Sequence, residues 1–295
     1  MLFFIVNPVS GHGRSLRIMD KLCKYLNAQG VEYKTAFSVR PGHIVKIARD
    51  AAAAGYETIV AVGGDGTIRE ALEGMHDTDS ALGFIPAGSG NDFVKSLGIP
   101  KDPMAALNII LAGERRTIDA GQINRRMFLN SATIGFDAEV VARAQRLPAL
   151  RGFASYFIAT IITLLRLRRK RVTLEREDGA VSHHDVLLIA VCNGRYYGGG
   201  FKVAPQAELD DGLFDVILAE GFTRLRALRM LPKYVRGTHL NKPARGLSHF
   251  RCKSLKLRTH RPVTANADGE ISMETELSFA VKPGAVHVVV PAQAG

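Results

Sequence analysis

Residues 61–70 read AVGGDGTIRE, which places Gly63, Gly64 and Gly66 around Asp65 and puts Thr67 directly after them. Glycines at these positions let the backbone approach a bulky anion closely, and amides exposed at the start of a following helix favour phosphate. A carboxylate repels bare phosphate, so Asp65 suits such a site if Mg²⁺ lies between them or if it orients a sugar hydroxyl. An isolated Gly-Asp-Gly is more often a plain turn. This one follows TIVAV (58–62), the best strand pattern in the region, and that context sharpens the phosphate reading. Two further loops stand in equivalent places. Asn7-Pro-Val-Ser-Gly-His-Gly-Arg14 follows the apolar run 2–6, and Pro86-Ala-Gly-Ser-Gly-Asn-Asp92 follows 82–86. Asp92 is either a second carboxylate beside a metal or a helix cap. No Gly-Lys-[Ser/Thr] ending and no full G-x-G-x-x-G with its downstream acid is present, so the loops hold phosphate by another arrangement.

The later part of the chain adds two acidic turns. Glu208-Leu-Asp-Asp-Gly-Leu213 is either a hairpin turn or a short segment able to bind a hard cation through one carboxylate and nearby carbonyls. Asp268-Gly269 reads equally as a hairpin turn, one that would aim the next side chain, Glu270, into a cleft, where a carboxylate can accept a hydroxyl proton. Arg195 and Lys202, either side of Tyr196-Tyr-Gly-Gly-Gly200, are a solvated face or contacts for an anionic product. Arg14 and Arg17 stand near the first loop. Adjacent His183 and His184 point to opposite faces of a strand, which argues against a metal pair.

These loops need elements to hold them. Strand patterns at 2–6, 32–37, 58–62 and 82–86 alternate with helical ones at 15–28, 43–54, 67–75, 91–97 and 102–112. Strand, glycine turn, helix in repetition predicts an α/β unit with a largely parallel sheet, whose loops converge on one crevice at the carboxyl ends of the strands. After about residue 115 the rhythm changes to short β segments at 115–121, 127–133, 171–177, 184–192, 213–219, 252–259, 262–266, 276–281 and 286–290. Turns at Asp178-Gly179, Asp211-Gly212, Asp268-Gly269 and Pro283-Gly284 separate some of them, and helices interrupt at 137–146, 151–168 and 223–235. This predicts two domains, 1–122 and an antiparallel β-rich 123–286, with 287–295 returning to the first and a cleft between them.

Bulk composition sets bounds. The chain has 295 residues, 46% hydrophobic and 23% charged, which is ordinary globular usage and excludes disordered and collagen-like classes. Its longest apolar stretch, Phe157 to Leu165, is far short of the ~20 residues that span a bilayer. The opening MLFFIV lacks a basic region and breaks at Asn7-Pro8, unlike a signal peptide. Three widely spaced cysteines suit a cytoplasmic protein with buried thiols. Lys and Arg number 39 against 28 Asp and Glu, a formal charge of +11 that fits nucleic acid, an anionic membrane surface or phosphorylated ligands. Residues 143–171 hold Arg143, Arg146, Arg151, Arg166, Arg168, Arg169, Lys170 and Arg171 without an acid, around FASYFIATIITLL. That pattern suits a membrane-surface helix, or a buried linking helix with a solvated basic end.

Asn-Pro-x-Ser-Gly, Gly-Gly-Asp-Gly-Thr and Gly-x-Gly-Asn-Asp-Phe, in this order, resemble the diacylglycerol kinase catalytic family, which includes sphingosine and ceramide kinases and soluble bacterial lipid kinases. Gly198-Gly-Gly-Phe-Lys-Val-Ala-Pro-Gln-Ala-Glu-Leu-Asp-Asp-Gly-Leu-Phe-Asp215 and Ala267-Asp-Gly-Glu270 resemble its bacterial branch, so the likeness runs from residue 2 to about 290. The resemblance implies a three-layer α/β nucleotide-binding domain like those of phosphofructokinases and NAD kinases, a C-terminal β-sandwich domain, and ATP- and Mg²⁺-dependent phosphorylation of a lipid hydroxyl. Gly63 to Thr67 then match the ATP-phosphate loop, with Asp65 close to nucleotide and metal; Asn7 and Ser89 match nucleotide contacts, and Ser38 stands roughly where the family has a threonine. Glu270 matches the general base. Asp211 matches a Mg²⁺ ligand, with Glu208 and Leu213 supplying backbone oxygens. The implied partners are a lipid substrate, an anionic membrane surface met peripherally from the cytoplasm, and a second copy of the chain, since dimers occur in the family. Kinases of soluble substrates, such as NAD kinases and phosphofructokinases, also carry Gly-Gly-Asp-Gly and are the competing reading, although the Asn-Pro-x-Ser-Gly opening and the Leu-Asp-Asp-Gly segment speak against both. Zero Trp and no RNA-binding signature argue against nucleic acid.

Overall fold

The computed structural model describes residues 1–146, 153–166, 168–242 and 244–292. Arg151 and the first residues of the helix expected at 151–168 lie outside the described residues. The chain divides into two compact units, Met1–Ile118 with Gly284–Gly295, and Asp119–Pro283.

In the first unit, β1 (Leu2–Val6), α1 (Arg14–Ala28), β2 (Tyr33–Phe37), α2 (His43–Ala53), β3 (Thr58–Gly63), α3 (Asp65–Met75), β4 (Ala81–Pro86), α4 (Asp92–Ser96) and α5 (Pro103–Ala112) follow in sequence. The sheet is parallel in the order β4-β3-β1-β2, with Val62 opposite Val6 and Gly63 opposite Pro86. β3 and β4 are buried along their whole length, as central parallel strands must be, and their sequences are correspondingly continuous apolar runs. α2 packs with α3, and α1 with α5. The register brings the carboxyl ends of all four strands, Val6, Phe37, Gly63 and Pro86, to one edge of the sheet. Asp102 caps α5 by accepting from the Ala105 amide at 2.8 Å, and Gly113, in the left-handed region, ends it.

Past β5 (Arg115–Ile123), the second unit adds β6 (Arg126–Phe128), β7 (Ser131–Gly135), α6 (Phe136–Ala144), α7 (Phe153–Leu165), β8 (Lys170–Arg176), β9 (Val181–Cys192), β10 (Tyr196–Tyr197), β11 (Phe201–Lys202), β12 (Phe214–Glu220), α8 (Arg224–Arg236), β13 (Leu247–Cys252), β14 (Ser254–Ala267) and β15 (Glu270–Val289). The pairing is antiparallel. β7 and β8 lie end to end between β9 and β14, β8 against residues 181–186 and β7 against 188–192 of β9. Alternation along β9 and β12 sends Ile189, Val191, Val216 and Leu218 into one apolar cluster and Leu188, Ala190, Ile217 and Ala219 into another. α8 covers the second cluster with Ala227, Met230 and Tyr234. This helical cover makes the second half of β9 buried on both faces, while its first half alternates with solvent.

An α/β unit and an antiparallel β-rich unit are the expected fold class, with differences in detail. The segment expected as one strand at 127–133 is two, β6 and β7, because the amides of Leu129, Asn130 and Ser131 turn to the Asp268 carboxylate. The pairs 252–259/262–266 and 276–281/286–290 are each one long strand, so Pro283-Gly284 lies inside β15 and joins no hairpin. The register between β14 and β15 shifts between Arg258 and Val263, which is the irregularity read as a break. β13 and the short β10–β11 pair carried no recognisable alternation. Cys192 and Cys252 are buried free thiols, while Cys23 is only half-buried. No described helix is long and apolar enough to cross a membrane.

Candidate functional site

The three glycine loops meet at the carboxyl edge of the parallel sheet. A Cβ on Gly88 would lie 2.5 Å from the Gly64 Cα, and one on Gly11 would lie 2.2 Å from the Ala87 carbonyl oxygen. Only glycine allows backbones to approach this closely, so these residues are how the first, third and fourth strand loops come together. Gly11 also has φ 57°. Thr67, in the first turn of α3, ties the first loop to the start of that helix. Its hydroxyl accepts from Asn7 Nδ2 at 3.1 Å and lies 3.5 Å from Ser10 Oγ. Ser15 Oγ donates to the Asn7 carbonyl at 2.6 Å, and the Asn7 amide donates to Val62 O. Ser38 is buried next to the same edge, its amide donating to Val6 O.

Asp65 opens α3, with its Oδ1 accepting from the Phe93 amide at 3.2 Å. It thereby ties the start of α3 to the start of α4. Asp92 is buried and pairs with Lys95 at 2.8 Å, and Asn91, in the left-handed region, donates to the Gly88 carbonyl. Ser89 is exposed on the same loop. Beside Gly66 a Cβ would meet nothing within 4 Å, so space is open at the start of the helix, as a phosphate cradle requires. The structure thus gathers Asn7, Ser38, Gly63, Gly64, Asp65, Gly66, Thr67, Ser89 and Asp92 at one edge.

The acidic segment of the second unit is held by Asp119. This buried residue donates its amide to Leu209 O at 2.6 Å and accepts from the Gly212 amide through Oδ2 at 2.7 Å. Asp211 Oδ1 accepts from the Leu213 amide at 3.0 Å, whereas its Oδ2 and Oδ2 of buried Asp215 have no hydrogen-bond donor. Arg251 lies 3.4 Å from the former and 3.5 Å from the latter, outside hydrogen-bond geometry. Burial pushes the Asp211 carboxyl above the usual carboxylate range. Two buried carboxylate oxygens in want of donors, beside a turn offering carbonyls, fit a hard cation. Glu208 is exposed at the start of the segment. Among the described residues no group of His, Cys, Asp and Glu forms an all-side-chain metal cage.

Glu270 opens β15 directly after a two-residue turn, where Asp268 (φ 43°) and Gly269 (φ 94°) join Ala267 to its partner Glu270. Both left-handed dihedrals suit the tight turn that matches strand twist. The turn is clamped. Asp268 accepts from the amides of Leu129 (2.5 Å), Asn130 and Ser131, Gly269 donates to Asn266 Oδ1, and Gln145 Nε2 donates to Gly269 O. Half-buried Glu270 therefore projects from a rigid base.

Sequence reasoning missed a narrow, partly open apolar pocket in the second unit. Phe136, Leu187, Phe222, Met230 and Leu231 are among its walls, and its polar end is Asp137, Tyr197 and Tyr234. The Tyr197 hydroxyl donates to Asp137 Oδ2 and lies 3.1 Å from the Tyr234 hydroxyl. Burial lifts the Asp137 carboxyl to about 6, an effect the Tyr197 hydrogen bond opposes. These residues lie on α6, β10 and α8, and the only local signal is an acid inside the apolar stretch that follows Gly135. Among the described residues of 143–171, three cations are engaged by neighbours. Arg143 donates to Thr163 Oγ1, Lys170 pairs with Glu139 at 2.7 Å, and Arg169 pairs with Asp185 at 3.5 Å.

The diacylglycerol kinase catalytic domain family matches residues 1–123, and the YegS C-terminal NAD kinase beta sandwich-like domain matches residues 130–290. A diacylglycerol kinase of Mycobacterium tuberculosis is 32% identical over 97% of this chain and 94% of its own. A Pseudomonas putida protein named as a probable YegS-like lipid kinase is 34% identical over 85% of this chain and 83% of its own. A crystal structure of a candidate diacylglycerol kinase from Bacillus anthracis shares the fold, with TM-score 0.82, 24% identity, and coverage of 99% of this chain and 97% of that one. Loop geometry, fold and similarity along nearly the whole length agree that the chain belongs to the diacylglycerol kinase catalytic family and is a lipid kinase.

Proposed function

We propose that this lipid kinase transfers the γ-phosphoryl group of ATP to the hydroxyl of diacylglycerol or a related lipid, with Mg²⁺, at the cytoplasmic membrane surface. The observation that carries the reading is the meeting of three glycine loops at the carboxyl edge of the parallel sheet, through the close approaches of Gly88 to Gly64 and of Gly11 to Ala87, with open space beside Gly66 at the start of α3. Bound Mg-ATP would supply the transferable phosphoryl group and neutralise its charge.

The chain's own residues bind, orient and move a proton. Backbone amides at the start of α3 offer donors to phosphate oxygens, and the glycines of the three loops leave room for them. Asn7, Ser38 and Ser89 would line a bound nucleotide, and Asp65, which ties α3 to α4, would face its metal. Asp92, neutralised in part by Lys95, supports that edge. Glu270 accepts the proton of the lipid hydroxyl at a carboxylate oxygen as the new P–O bond forms. Asp211, with backbone oxygens of Glu208 and Leu213, would hold a second Mg²⁺, whose charge would order the 208–213 segment. The +11 charge draws the protein to anionic lipid, each well-placed Lys or Arg adding about 1 kcal/mol.

A panel of acceptors tests the reading: detergent-dispersed diacylglycerol, a sphingoid base, ceramide, a polyprenol and NAD, each with radiolabelled ATP. Label in diacylglycerol or another of the lipids is expected. Label in NAD alone would make the protein a kinase of a soluble substrate.

A further inference from the structure

α8 presents two unlike faces. Ala227, Met230, Leu231 and Tyr234, spaced i, i+3, i+4 and i+7, line the apolar pocket of the second unit. On the outer face Leu225 is 57% exposed, Leu228 47% and Val235 42%, although a soluble helix usually turns such residues inward. Exposed Arg224, Arg229, Lys233 and Arg236 stand among them, and the helix holds no acidic residue. Among the described residues none of these four cations has an acidic partner. α7 packs beside α8 and adds exposed Ile158 and Leu165.

We propose that α8 docks the second unit on an anionic bilayer, with Leu225, Leu228 and Val235 in the boundary between headgroups and acyl chains and the four cations against lipid phosphates. Interfacial helices combine these two features, apolar side chains that leave water and flanking cations that meet anionic headgroups. A nucleic acid would be matched by the cations alone, since its phosphate backbone gives the aliphatic side chains nothing to enter. The other face of the same helix is a wall of the pocket, so docking here places that pocket against the membrane, where an acyl chain of the acceptor can enter it. The choice of a bilayer as partner rests on the lipid-kinase reading, whereas the two-faced helix does not depend on it.

The test uses the full chain and sedimentation with vesicles of phosphatidylcholine, alone and mixed with phosphatidylglycerol. The Leu225→Ser/Leu228→Ser double variant and an Arg224→Gln/Arg229→Gln/Lys233→Gln/Arg236→Gln variant are each expected to lose tenfold or more, about that scale for several interfacial residues, in partition to mixed vesicles. The control Val181→Ser, an exposed residue of β9, should bind as the parent does. All should keep parental turnover on a short-chain, monomeric diacylglycerol. Because the chain contains no Trp, Leu228→Trp supplies a single fluorophore whose emission should shift blue with mixed vesicles, while that of Val181→Trp should not. Parental sedimentation by both α8 variants with no shift from Leu228→Trp overturns the proposal, as does binding of the parent to RNA or a protein but not to vesicles. α8-dependent sedimentation without phosphorylation of any lipid would sustain the docking and refute the kinase reading. Phosphorylation of lipid with α8-independent sedimentation would do the reverse.

Discussion

Asp268 shows how one side chain can serve chemistry it does not perform. Its carboxylate receives three consecutive backbone amides, and that grip sets the turn from which Glu270 projects. Removing it leaves those donors without a partner, so Asp268→Ala is expected to lower stability by about 2–4 kcal/mol in urea unfolding, with Asp268→Asn milder. Asp137 gives a different signature. Its carboxyl titrates near 6 in the folded chain because it is buried, against about 3.9 when unfolded. A raised acid contributes stability that is fully present below the unfolded value and lost as pH rises through the folded one. The parent should therefore lose about 3 kcal/mol between pH ~4 and ~7 relative to Asp137→Asn, which lacks the titration. Denaturant midpoints for both proteins across that range check this, and parallel profiles would show that burial does not shift Asp137.

At the scale of elements, the first unit was legible because its signals are local. Continuous apolar runs ended by glycine loops mark buried parallel strands, and TIVAV before Gly63-Gly64 carries both strand and site in ten residues. The second unit was legible in class and less so in its strands. β14 tolerates a register shift and β15 contains Pro283-Gly284, so local breakers suggested ends that long-range pairing overrides. Asp119 and Asp268 could not be found by spacing either, since their partners lie 93 and more than 130 residues away. The pocket escaped for the same reason, its walls coming from separate elements. The cation proposed for the 208–213 segment can be tested at that element. In metal-limited buffer Asp211→Ala should lose turnover while ATP binding, followed by a fluorescent nucleotide analogue, stays within about threefold, a difference below 1 kcal/mol. Normal turnover would reduce the segment to a plain turn held by Asp119.

For the whole molecule, each of the two units carries features that the proposed lipid phosphorylation uses. The first holds the glycine-loop edge proposed for the nucleotide, and the second holds Glu270, the acidic turn and the apolar pocket proposed for the acceptor. Most of these residues position groups, and one, Glu270, is proposed to move a proton. The reaction proposed is transfer of phosphate from ATP to a lipid hydroxyl with Glu270 as the base. The most direct measurement is label transfer from γ-labelled ATP to dispersed diacylglycerol with Mg²⁺, comparing the parent, Asp65→Ala and Glu270→Gln, with nucleotide binding measured on each. Labelled phosphatidic acid is expected from the parent, no product from Asp65→Ala, and a loss of about 10²–10⁴-fold for Glu270→Gln with nucleotide binding retained. Parental turnover by a folded Asp65→Ala or Glu270→Gln protein would contradict that proposal.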